Sequence, residues 1–238
     1  MEFEGIVIRR TSFKEGAAMI TVLSKDKIHS FLAKGVLKLT SKNAPSVNLF
    51  TKSNFQVFHG QDGDWLRVGE IIKSYPNISS NLEKLAILDF VSELTNNLLS
   101  SQDAKDVYNF LEETLKCIDE NFSPWTALLI YFAHVLSVAG YGIDIDSCAL
   151  CGKKTEIVSI SYKEGGFICK NCFDQTKHPK VDIRKLKIIR YIFKIDINNF
   201  EKVTFGKEEC KDLIFELAEF LNRVSQIEFK SLTLLKQI

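Results

Sequence analysis

The stretch GIVIRRTSFKEGAAMITVLSKDKIHSFLAK (residues 5–34) reads as three short strands with polar turns between them. Val, Ile, Phe and Met crowd the strand positions, while FKEG and SKDK supply the turn chemistry. Two further runs, NFQVFH (54–59) and WLRVGEII (65–72), continue the pattern across the turn GQDGD. Five strands without an intervening long helix predict a small barrel, with the five-stranded OB-fold as the leading candidate and an SH3-like barrel as the alternative.

Beyond Pro76 the apolar period changes from two to that of a helix. Ser80-Asn81-Leu82-Glu83 has the form of a capping box, and Leu82, Leu85, Leu88 and Val91 mark one face of a first helix. Val107, Leu111, Leu115 and Ile118 mark a second. The longest uncharged stretch, residues 121–143, is interrupted by Pro124, His134, Gly140 and Gly142, which predicts a buried central helix over 127–139 rather than a membrane span. Helices resume after the N-cap candidate Asp182, and Leu213, Ile214, Leu217, Phe220, Leu221 and Val224 form the last apolar stripe. The expected class is α+β: a barrel over residues 1–79, then an all-helical domain over 80–238 with an insertion at 146–180.

That insertion holds four of the six cysteines, spaced Cys148-x2-Cys151-x17-Cys169-x2-Cys172. Two CxxC pairs at this separation predict a four-cysteine zinc site, with Gly152 shaping the first turn and Gly165-Gly166 a hairpin between the halves. Four thiolates fill a tetrahedron and leave no position for water or substrate, so one Zn2+ with a structural role is expected. His178 reads as a plain surface residue, and Cys117 and Cys210 as small core residues on helix faces. With no apolar leader at the amino terminus, paired CxxC motifs point to a reducing compartment, the cytoplasm.

No phosphate-binding glycine loop, zinc-protease helix or nucleophile elbow occurs, and the four histidines sit in unrelated contexts. No catalytic residue is assigned and the expectation is a protein that is not an enzyme. The acidic residues Glu112, Glu113, Asp119 and Glu120 read as a solvated helix face. Net charge is +1 overall but uneven: +4 over residues 1–79, −8 over 80–147, +3 over 148–180 and +2 over 181–238. Distinct surfaces for distinct partners follow from that pattern. In the barrel, Arg9, Lys34, Lys38, Lys42 and Arg67 occur among aromatic residues, and strand alternation places Trp65 and Arg67 on one face. Lysines and exposed rings together hold single strands, so these six residues are the candidate DNA-binding set; Phe31, Phe55 and Phe58 read as barrel filling.

Taken in order, GIVIRR, KEG, AKGVLKLTSK (33–42), AGYGIDIDSCALCG (139–152), EGGFICKNC (164–172) and FKSLTLL (229–235) resemble the RecO family of bacterial DNA repair and recombination mediators across nearly the whole length. The resemblance implies an OB-fold, a helical domain with a zinc motif, and binding of single- and double-stranded DNA. It further implies strand annealing, action with RecR in loading RecA onto strands coated by single-stranded DNA-binding protein (SSB), a docking place for the SSB C-terminal tail, and a nucleoid-associated cytoplasmic location. The family's loop after AKG often carries Arg where this chain has Val36-Leu37. The competing expectation is a zinc-bearing protein-interaction scaffold or transcriptional regulator using its barrel for a protein partner.

Overall fold

The computed structural model describes residues 1–14, 16–61 and 63–238, with the backbone alone at position 201. Glu15 of the KEG motif and Asp62 of the GQDGD turn lie outside the described residues. Two compact units result: one combines residues 1–124 with 229–238, the other spans 125–228.

In the first unit, β1 (Glu2–Phe13), β2 (Ala17–Ser24), β3 (Ile28–Ala33), β4 (Lys52–Gly60) and β5 (Gly63–Lys73) close a barrel in the order β1-β2-β3-β5-β4. Closure runs through antiparallel β1–β4 pairing on one side and parallel β3–β5 pairing at Leu32 and Trp65 on the other. This is the OB-fold arrangement, and the SH3-like alternative falls away. Val7, Ile20, Val22, Phe31, Phe55 and Val57 fill the interior. The register of β4 on β5 slips at Gln56/Val57, and that of β1 on β2 at Val7/Arg9, which coils the sheet enough to close it.

Helices α1 (Leu82–Leu98) and α2 (Ala104–Asp119) pack in the same unit as the barrel. Ser92 Oγ and Asn96 Nδ2 both donate to the Ile8 carbonyl at 2.8 Å, where the β1 bulge leaves that oxygen available. Lys52 Nζ reaches Glu4 at 2.9 Å and Glu112 of α2 at 3.0 Å. The Glu93 carboxylate accepts from the backbone N–H groups of Lys230 (3.0 Å) and Ser231 (2.9 Å), tying down a short C-terminal helix, Leu232–Leu235.

Two expectations for α1 need correction. Asn81, not Ser80, is the N-cap: its side chain accepts from Lys84 N at 2.8 Å, because its extended backbone (φ −151°) brings the amide oxygen over the first turn. The buried face runs through Ile87, Phe90, Val91 and Leu94, so Leu82 and Leu85 project to solvent, Leu82 being 60% exposed. Ile87, Phe90, Val91 and Leu94, all fully buried, fix the rotation of the helix, and in its first turn Lys84 rather than Leu82 or Leu85 is the buried residue.

The second unit holds α3 from its second residue onward (Pro124–Val138), α4 (Ile183–Lys194) and α5 (Lys207–Ser225), with a small sheet β6 (Asp144–Cys148), β7 (Ile157–Ser161) and β8 (Gly166–Cys169) in the order β6-β8-β7. Eleven of the fifteen α3 side chains are buried, and Gly140 (φ +83°) ends its final turn. Among the described residues no helix is long and apolar enough to cross a membrane. Asp182 caps α4 as expected, accepting from Arg184 N at 3.2 Å. Cys117 and Cys210 are buried, whereas Val224, in the last turn of α5, leaves the stripe and is exposed.

The parallel β6–β8 pair depends on Gly166. A Cβ there would lie 2.3 Å from the Asp144 carbonyl oxygen, a backbone atom that cannot step aside. Gly166→Ala is therefore expected to destabilise the second unit by about 2 kcal/mol, in the range of overpacking. Thermal unfolding checks this, with Gly165→Asn as a neighbouring control, since Asn tolerates the positive φ of 81° at that turn.

Candidate metal centre and nucleic-acid face

The four Sγ atoms of Cys148, Cys151, Cys169 and Cys172 lie within 4.8 Å of one another, with Cys151 and Cys169 at 3.6 Å. Metal–sulfur bonds of about 2.3 Å in a tetrahedron separate the sulfurs by about 3.8 Å, so the cluster fits a four-thiolate ion such as Zn2+. The sequence builds this from two turns. Gly152, at φ +74°, lets its N–H return to the Cys148 carbonyl at 2.8 Å, and the Cys172 N–H returns to the Cys169 carbonyl at 3.1 Å. β8 then carries Cys169 beside β6, which ends in Cys148.

The electrostatics suit thiolates. Burial pushes the Cys148 thiol up, but backbone N–H groups of Cys169, Leu150 and Cys151 outweigh it and bring it to about 6. Cys172 goes the other way, to about 12, chiefly because the Cys151 sulfur sits beside it, with burial adding to the effect. One sulfur ionises readily and the last resists, since crowded negative charges need a cation to coexist.

His178 is not the surface residue expected from the sequence. It is 6% exposed, and its Nδ1 accepts from the Asp174 N–H at 3.0 Å while its backbone N–H donates to the Asp174 carbonyl at 2.8 Å. The turn folds back on itself and takes the ring inside. It is not part of the cysteine cluster.

On the barrel, the candidate DNA-binding residues separate into two places. Lys34 Nζ stands 4.0 Å over the Trp65 ring, and Phe58 meets Trp65 edge-on with centroids 5.5 Å apart. Trp65 is 38% exposed and Phe58 56%, so both rings face solvent. Cross-strand pairing of Met19 with Leu32, Leu32 with Trp65 and Trp65 with Phe58 makes one apolar row over β2, β3, β5 and β4. Arg67 is exposed two residues along β5 from Trp65. Asp64, at the same end, is engaged by His59 at 2.5 Å.

The loop bearing Lys38 and Lys42 is held against this end of the barrel. Val36 is buried in the barrel core, Leu37 N donates to Gly16 O at 3.1 Å, and the Lys38 chain lies against Gly16. Asn43 clamps the loop to β5, its Nδ2 donating to Arg67 O and its Oδ1 accepting from Gly69 N, both at 3.2 Å. Arg10 holds the loop's far side through Asn48 Oδ1 at 2.7 Å. Asn43→Ala removes both clamp bonds and is expected to cost about 1–2 kcal/mol and to admit protease between residues 37 and 44, read by limited proteolysis and mass mapping.

Arg9 is not brought to the rings. It lines a polar cavity of about 260 Å³ with Asp89, Glu93 and Asn96 of α1. Phe58, read from the sequence as barrel filling, is the residue that reading missed. Strand alternation carried the signal: Phe55 and Val57 point inward, so Phe58 points out.

Comparison with known proteins matches both parts of the chain. A family described as recombination protein O N terminal covers residues 1–75, and one described as recombination protein O C terminal covers residues 79–233. Relatives named DNA repair protein RecO include that of Listeria innocua, 31% identical over 81% of this chain and 78% of the relative. That of Caldanaerobacter subterraneus subsp. tengcongensis is 28% identical over 97% of this chain and 95% of the relative, and that of Bacillus cereus 28% identical over 99% and 96%.

Proposed function

The chain belongs to the RecO family, and from that premise we propose that it is a mediator of recombinational DNA repair that binds single- and double-stranded DNA, anneals complementary strands and, with RecR, helps load RecA onto strands coated by SSB, whose C-terminal tail it receives on its helical part. The observation that carries the DNA-binding part is the exposed Trp65–Phe58 ring pair with Lys34 over Trp65. Rings stack on unpaired bases whatever their identity, and Lys34, Lys38, Lys42 and Arg67 neutralise the phosphates that connect those bases. Arg9, at its own cavity, is left out of this set.

Annealing needs no bond to be made or broken. Two phosphate backbones repel each other, and a basic surface holding one strand with its bases unpaired lowers that repulsion toward the second. The protein therefore acts without covalent catalysis. One Zn2+ on the four cysteines supplies a closed structural crosslink; the cysteine turns hold β6 and β8 in register and the metal takes no part in strand exchange. Action in the cytoplasm at the nucleoid is consistent with thiols kept reduced for the metal.

The apolar row of Met19, Leu32, Trp65 and Phe58 also fits a protein partner, the scaffold reading. The annealing rate of two complementary labelled oligonucleotides, bare and coated with SSB, over a salt series decides between them. Acceleration on both substrates that fades as salt rises supports the mediator; no acceleration from folded, zinc-loaded protein overturns it.

A further inference from the structure

The cysteine-bearing segment forms a cleft to which the barrel's strand-binding face gives no role. Its volume is about 690 Å³, and Ile157 and Val158 of β7, Phe173, and Val181 and Ile183 at the start of α4 make its walls. His178 also lines it. Because the Asp174 N–H donates to Nδ1, the ring keeps its proton on Nε2 and presents that nitrogen as a donor. Nε2 is buried and has no hydrogen-bond partner among the described residues. Such an orphaned donor is unfavourable, and an acceptor entering the cleft removes that cost.

Charge narrows the ligand. The exposed Lys170 and Lys180 line the cleft and, among the described residues, no carboxylate does, whereas the two clefts beside α1 in the barrel unit both carry Asp89. One buried donor, the Gln175 amide and two cations beside apolar walls with one aromatic ring select a group that is anionic at one end and flat, with polar edges, at the other. A nucleotide of an unpaired strand has both parts. Its phosphate oxygens meet Nε2–H and the lysine ammonium groups, and its base lies along the aliphatic walls and Phe173.

We propose that this cleft is a second single-strand binding site, separate from the barrel face, which takes one unpaired nucleotide. The proposal rests on the reading of the chain as a strand-annealing protein and extends it: with one site on each unit, a single chain holds two strands and raises the local concentration of each for the other.

The test uses the full-length protein and an oligo(dT) 20-mer carrying one 5-iododeoxyuridine, crosslinked by light and mapped by peptide mass. The expected result is a crosslink in the peptide containing Phe173 that falls about tenfold in Lys170→Glu with Lys180→Glu and persists in Phe58→Ala with Trp65→Ala. Crosslinks confined to the barrel rings, or a Phe173 crosslink indifferent to the lysine pair, overturn the second site and leave the barrel reading standing. No crosslink anywhere overturns both. Capture of a labelled acidic peptide that depends on Lys170 and Lys180, without strand crosslinking there, assigns the cleft to a protein partner and overturns the proposal.

Discussion

Phe58→Ala combined with Trp65→Ala is expected to weaken binding of an oligo(dT) strand by at least about 30-fold, measured by fluorescence anisotropy at fixed salt. Each base stacked on an aromatic ring is worth roughly 1–3 kcal/mol, so losing two rings removes at least about 2 kcal/mol. Both side chains sit on the outer face of the barrel, and the interior filled by Phe31, Phe55 and Val57 is untouched. The melting temperature should therefore change by only a few degrees, which separates lost binding from lost fold. Lys34→Glu with Lys38→Glu acts through charge instead. It should flatten the dependence of log affinity on log salt by roughly 0.7 for each phosphate no longer neutralised, with the fold intact. Undiminished affinity in the ring double variant would move strand binding off this face.

The larger effect on stability is expected from Cys148→Ser with Cys172→Ser. A structural four-thiolate site contributes on the order of 10 kcal/mol of metal-binding free energy to folding, strongly dependent on pH, and two serines abolish it. The cysteines sit at the ends of β6 and β8 and in the turns that follow each, so loss of the site releases all three strands of the small sheet. The expected outcome is early proteolysis between residues 144 and 180 and a separate low-temperature unfolding transition. The barrel, whose core lies in the other unit, should keep its oligo(dT) affinity. A chelator added to the unaltered protein should reproduce the proteolysis pattern, and adding Zn2+ back should reverse it. A double variant as stable as the parent would remove the metal from the folding of this unit.

Burial follows sequence period through most of the chain. Alternation holds in β4, where Ser53, Phe55 and Val57 are buried in turn, whereas the unbroken run Ile6-Val7-Ile8 of β1 is buried throughout, with Val7 in the barrel core; the helical stripes of α2 and α5 are buried nearly as spaced. The period fails at element ends. Leu82 and Leu85 continue the α1 repeat but are exposed while Lys84 between them is buried, and Ser80 has the capping sequence while Asn81 has the capping geometry.

The sequence by itself determined the class of fold and the four-cysteine cluster that fits a metal ion. Strand alternation and helical period are properties of neighbouring residues, and each CxxC pair places two thiolates in one tight turn before any distant residue is met. Tertiary structure alone decided which charges serve the rings. Lys34, just past the end of β3, meets Trp65 only because β3 and β5 become neighbours at barrel closure, while Arg9, equally basic and inside β1, lines a cavity with Asp89 and Glu93 of α1. It also took His178 into the interior, where its ring closes over the Asp174 amide. Such meetings depend on register, closure and packing among residues that local periods do not connect.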